Sequence, residues 1–74
     1  SKGDALEQLV LQYGIGMEHI VSFGNAENDI SMLSKTGYAV AVDNAVEHAK
    51  LVSHEVCGHH NDDGVARWIE EHLL

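Results

Sequence analysis

Seventy-four residues are enough for one small domain, and a domain of that size buries only about 60% of the surface its unfolded chain exposes. Four Lys and Arg against twelve Asp and Glu give a formal net charge of −8, which repels phosphate backbones and anionic lipid; no nucleic acid and no membrane surface is expected as a partner. Cys57 is the single cysteine, so no internal disulfide can staple the chain, and with no signal-peptide pattern and no apolar run of about 18 residues the expected location is cytoplasmic.

Seven glycines and no prolines point to regular elements joined by glycine turns. From Asp4 to about Tyr13, Ala5, Leu6, Leu9, Val10 and Tyr13 fall at helical spacing, and Gly14 is the stop signal. Asp4 and Glu7 lie in the first turn, where the helix dipole favours negative charge. Ile20 to Phe23 reads as a short strand ended by Gly24. A second helix runs from Ala26 or Glu27 to about Thr36, with Ile30 and Leu33 inward. Tyr38 to Val42 is apolar without polar alternation, as in a strand covered on both faces. Ala45 to Leu51 reads as a short helix with Asn44 as its cap, and Val52 to Val56 as a weak strand. Asp62 or Asp63 opens a last helix, in which Val65, Trp68, Ile69, His72 and Leu73 share a face. The fourteen residues from Gly24 to Gly37 allow a helical crossover between parallel strands. The fold class expected is α/β, a layered sheet of short parallel strands alternating with helices. Two or three strands leave an open sheet edge, which further strands or self-association would cover.

Ligands of open α/β sheets bind at the carboxyl ends of the strands. Two such ends are visible here, Gly24-Asn25-Ala26-Glu27-Asn28-Asp29 and Asp43-Asn44-Ala45. Both are rich in carboxylate and amide oxygen, which suits a hard cation such as Mg²⁺ that in turn binds a substrate phosphate. Asn25 and Asp29 are four apart, so they can face one side of the turn. The plainer alternative is a strand-to-helix turn in which Asn25 or Asn28 caps the second helix.

The stretch Gly24-Asn25-Ala26-Glu27-Asn28-Asp29-Ile30-Ser31-Met32-Leu33 resembles the fourth motif of the haloacid dehalogenase superfamily. It is most similar to the Cof-type sugar-phosphate phosphatases, with their Gly-Asp-x-x-Asn-Asp-x-x-Met-Leu pattern. Ser1-Lys2-Gly3-Asp4-Ala5-Leu6 resembles the third motif of that family. Ala39-Val40-Ala41-Val42-Asp43-Asn44-Ala45 and Asn61-Asp62-Asp63-Gly64-Val65-Ala66 resemble its later strand end and its entry to the final helix. The four matches occur in the family order. The resemblance implies the C-terminal part of a Rossmannoid core and a Mg²⁺-dependent phosphatase acting on small phosphorylated metabolites. It makes Lys2 the lysine that neutralises the nucleophilic aspartate and the phosphoryl group. It makes Asn25 and Asp29 the metal-site residues and places Asn28, and at the rim Asn44, beside the phosphate.

Two departures from the family pattern matter. Asn25 stands where most relatives carry a metal-binding aspartate, so an amide oxygen without charge replaces a carboxylate. The Asp-x-Asp first motif, source of the covalent nucleophile, is absent, and Asp62-Asp63 does not replace it. The second-motif Ser/Thr and the cap domain are missing too. Residues 1–74 are therefore expected to be a partial core, inactive alone, with the nucleophile outside the chain. A second reading is a non-catalytic binding or assembly module. A third is a metal-binding module on His54, Cys57, His59 and His60, which lie within seven residues. Against this stands a solvated loop carrying a small buried thiol. Trp68 is expected as a core anchor, and Glu70-Glu71 as a solvated helix face.

Overall fold

The computed structural model describes residues 1–58 and 63–74. The chain forms α1 (Lys2–Leu11), β1 (Val21–Gly24), α2 (Ile30–Lys35), β2 (Tyr38–Val42), α3 (Glu47–Val52), β3 (Glu55–Cys57) and α4 (Gly64–Leu73), with short 3-10 turns at Met17–His19 and Glu27–Asp29. The three strands make one parallel sheet in the order β1-β2-β3. Val21 lies opposite Tyr38, and Val40 opposite Glu55. The α/β class and the alternation of strands with helices are as the sequence predicts.

The central strand is β2, and its bounds match the apolar run. Ala39, Val40 and Ala41 are fully buried and Val42 nearly so, because helices cover both faces. Alternation of side chains along a strand separates the two faces. On one face, the Ser22 and Thr36 hydroxyls are 2.5 Å apart, and a Cβ on Gly24 would stand 3.0 Å from Leu33 Cδ1, so α2 packs there. On the other face, Trp68 of α4 meets Phe23 edge-on at 5.3 Å and stacks over Tyr38 at 6.1 Å. The core of Leu33, Ala39, Val40, Ala41, Val42, Ala45, Ala49, Cys57 and Trp68 therefore runs through the sheet from one helix layer to the other. Glu55 anchors the indole, accepting from Trp68 Nε1 at 2.8 Å and from the Tyr38 hydroxyl at 2.5 Å.

Several boundaries differ from the periodicity reading. Helix α1 begins at Lys2 because the Ser1 hydroxyl accepts the Asp4 N–H at 3.2 Å and caps it. It ends at Leu11, short of Tyr13, and its apolar stripe is mostly uncovered: Val10 is buried, but Leu9 is exposed, as is Tyr13 in the turn beyond. The predicted second helix opens as a 3-10 turn closed by Asp29 N–H to Ala26 O at 3.0 Å, and neither Asn25 nor Asn28 caps α2, whose N-cap is Asp29. Asn44 does not cap α3. The cap is Val46, whose N–H goes instead to the Asn25 carbonyl at 2.9 Å in the neighbouring loop. Val52 ends α3, so the third strand is shorter and later than its apolar pattern suggests. Helix α4 starts at Gly64 after Asp63, which adopts a left-handed φ of 57° and makes no side-chain cap; Asp62 lies outside the described residues. Trp68 is buried as expected, Glu70 and Glu71 are exposed, and Leu73 at the end of the predicted apolar face is exposed as well. Among the described residues, no helix is long and apolar enough to cross a membrane.

Candidate active site

The carboxyl ends of β1 and β2 lie side by side, with Gly24 paired to Ala41, so the loops that follow them share one rim of the sheet. The Val46 N–H to Asn25 carbonyl bond ties those two loops together. Asp29 is the buried acid of this rim, 5% exposed. Its Oδ2 accepts the backbone N–H groups of Asn25 at 3.0 Å and Ala26 at 3.1 Å, folding the loop back on itself. Its Oδ1 accepts the Lys2 ammonium at 2.6 Å. Burial by itself pushes the Asp29 carboxyl up. The Lys2 hydrogen bond, the two backbone N–H groups and the Lys2 charge together outweigh that, and hold it below the usual carboxylate range.

Close backbone approach makes this geometry. A side chain on Gly24 would put a Cβ 2.8 Å from Asp29 Cβ, so only glycine lets the loop close there. A side chain on Gly3 would put a Cβ 2.7 Å from the Ser31 carbonyl oxygen, so α1 lies directly on α2. The Gly3 N–H donates to Ser31 Oγ at 2.9 Å, and Lys35 of α2 pairs with Asp4 of α1. Helix α1 thus brings Lys2 to a loop 27 residues further along the chain.

Of the residues singled out in the sequence, Lys2 and Asp29 meet directly. Asn25 and Asn28 are exposed in the same loop, and Asn44 is exposed in the adjoining one. Spacing within motifs says nothing about the direct pairing of Lys2 with Asp29. The Gly3–Ser31 contact has a single sequence signal, a glycine beside the lysine in a first helical turn.

The oxygen donors of this rim, the Asn25 amide and the Asp29 carboxylate, are of the kind a hard cation takes. Three of about four acceptor positions on Asp29 are already occupied by Lys2 and the two N–H groups. The chain would therefore supply part of a cation's shell, and water and phosphate oxygens would complete it.

The histidine and cysteine stretch is arranged differently. His54 Nδ1 accepts the Ala39 N–H at 2.9 Å, and its ring stacks on Tyr38 at 5.0 Å. Cys57 is buried, and burial is the first cause that pushes its thiol above the ordinary range, away from a reactive thiolate. His59 and His60 lie outside the described residues. Among the described residues, no group of three or more His, Cys, Asp or Glu side chains is placed to hold a metal ion.

Comparison with known proteins shows the family of the chain. The family model described as haloacid dehalogenase-like hydrolase matches residues 1–69. The chain is 39% identical over 74 residues to a phosphoglycolate phosphatase of Methanobrevibacter smithii, covering all of this chain and 32% of that protein. It is 40% identical over 74 residues to a pyridoxal phosphate phosphatase of Escherichia coli, covering all of this chain and 27% of that protein. Among solved structures, a haloacid dehalogenase-like hydrolase from B. subtilis superposes with a TM-score of 0.90 at 39% identity, over all of this chain and 26% of the other. The subclass IIB sugar phosphatase BT4131 superposes with a TM-score of 0.89 at 30% identity, over 96% of this chain and 27% of the other. The chain thus spans about a third or less of each relative, and over that span it belongs to the haloacid dehalogenase-like hydrolase family, among the Cof-type phosphatases.

Proposed function

We propose that the chain is part of the core of a cytoplasmic, Mg²⁺-dependent phosphatase that hydrolyses small phosphorylated metabolites. The observation that carries this reading is the Lys2–Asp29 pair, 2.6 Å apart, at the carboxyl end of β1. A half-exposed ammonium is held there by a buried carboxylate. Its free face can meet the negative charge spread over a transferring phosphoryl group. The names of the relatives favour small phosphorylated substrates, since they are phosphatases of phosphoglycolate and of pyridoxal phosphate.

In this reading, an aspartate outside residues 1–74 attacks phosphorus and displaces the alcohol of the monoester, and water then attacks the resulting aspartyl-phosphate, releasing phosphate and regenerating the carboxylate. Lys2 neutralises charge on the nucleophile and on the phosphoryl oxygens. Asp29 keeps Lys2 and the Asn25–Ala26 backbone in place and, with the Asn25 amide, contributes to the metal site. Asn28 and Asn44 face the phosphate from the two loops. Bound Mg²⁺ supplies further positive charge for the phosphoryl oxygens.

Phosphate release from a panel of small phosphate monoesters tests the proposal. The full-length protein should turn over at least one of them with Mg²⁺ and lose that activity in EDTA. Lys2→Ala should lower the rate by about 10²–10³, the usual loss when one charge-stabilising group is removed. Activity unchanged by EDTA, or near-normal turnover by Lys2→Ala, would sink the reading. The competing reading, a non-catalytic assembly module, draws on the exposed apolar residues Leu9, Leu11, Tyr13 and Ile15. It would be favoured by a full-length protein that hydrolyses none of the panel.

A further inference from the structure

We propose that Ser31 is a positioning residue for Lys2: its hydroxyl fixes the backbone from which the lysine reaches the strand-end loop. This rests on the preceding reading, in which Lys2 acts on the phosphoryl group.

A lysine side chain is a point charge on a flexible four-carbon stem, so its ammonium is only as well placed as its backbone. Lys2 is the first residue of α1, where helices fray and the first N–H groups lack partners within the helix. Ser1 satisfies one of them, the Asp4 N–H, from within the same turn. The Gly3 N–H is satisfied from outside, by Ser31 Oγ at 2.9 Å. That N–H belongs to the peptide unit joining Lys2 to Gly3, which is a rigid plane. The Ser31 hydroxyl therefore grips the plane that carries the Lys2 carbonyl carbon.

Ser31 is well placed for this task. It lies two residues after Asp29, so adjacent residues of α1, Lys2 and Gly3, are met by Asp29 and Ser31 of one short segment. The absence of a side chain on Gly3 allows the approach, since a Cβ there would overlap the Ser31 carbonyl. The other ties between the helices, Lys35 to Asp4 and Lys35 to Glu7, lie between exposed side chains that solvent screens. Ser31 thus supplies a backbone restraint close to the ammonium that the surface pairs do not.

Steady-state kinetics of the full-length protein, with a substrate it turns over in the presence of Mg²⁺, provides the test. Ser31→Ala should lower kcat by about tenfold with KM changed by less than about twofold, as expected for a small misplacement of a group acting on the reacting centre. Ser31→Thr, which keeps the hydroxyl, should restore kcat, whereas Ser31→Val, of the same shape without it, should not. That pair keeps the test decisive should the alanine variant fold poorly. In a Lys2→Ala background, Ser31→Ala should have almost no further effect, because Ser31 acts only through Lys2. Asp4→Asn, which weakens one of the exposed ties, should stay within about twofold of wild type. Equal kcat for the Thr and Val variants, or a full Ser31→Ala loss in the Lys2→Ala background, would overturn the positioning role while leaving the phosphatase reading intact. Normal turnover by Lys2→Ala alone would overturn that reading, and this inference with it.

Discussion

At the scale of single residues, Asp29 organises the site. It is a buried carboxylate with three donors, and each donor fixes something else: Lys2 on one oxygen, and the Asn25 and Ala26 backbone on the other. Removing it strands two N–H groups in a part-buried loop. Asp29→Ala is expected to cost about 1–3 kcal/mol of stability, read from the urea midpoint of the full-length protein. The pH dependence follows from the direction of its shift. Its carboxyl is held below the usual range in the folded chain, so its contribution is complete above the ordinary carboxylate pKa. That contribution is lost as the pH falls through the lower, folded value. Stability due to this group should thus be level through neutral pH and decline only below about pH 4, and Asp29→Asn should flatten that acid limb.

At the scale of elements, α2 is the piece on which the site stands. It follows the Asp29 loop directly, carries Ser31 toward α1, and seats Leu33 under the sheet with no exposed surface. The helix has only six residues and would not persist alone, so packing sustains it. Leu33→Ala should destabilise the fold by about 2–5 kcal/mol, as for other buried leucines. The thermal midpoint of the full-length protein checks this. Because the Asp29 loop and α2 are continuous, the same variant should weaken turnover beyond what its unfolded fraction explains. Activity per folded molecule equal to wild type would show that the loop does not depend on α2 packing.

At the scale of the whole molecule, the three-stranded sheet of the described residues is a small support for the helices on its two faces. Both β1 and β3 are edges, and the end of α1 with the turn after it presents Leu9, Leu11, Tyr13 and Ile15 to solvent, between 42% and 72% exposed. Exposed apolar surface of this kind, together with open strand edges, invites association. Residues 1–74 on their own are expected to self-associate. Sedimentation equilibrium should give a mass that rises with concentration above the 8.1 kDa of one chain. A single 8.1 kDa species across the micromolar range would show that the apolar face tolerates water.

The α/β class, the central strand and the residues that mark the family are legible in the amino-acid string alone. Tyr38 to Val42 was legible to the residue, because a strand buried on both faces leaves an uninterrupted apolar run. The motif order was legible because each motif is a local string. Long-range contacts were not. Asn44 reads as a cap from its neighbours alone, yet the Val46 N–H that opens α3 is claimed by Asn25, twenty-one residues earlier in the chain. Leu9 and Tyr13 sit at core spacing, yet periodicity records only which residues share a face, not whether another element lies over it. Lys2 and Asp29 each stand out in their own motif. Only the crossover that lays α1 on α2 through Gly3 and Ser31 brings the ammonium onto the carboxylate, because that contact depends on how two backbones pack rather than on either string.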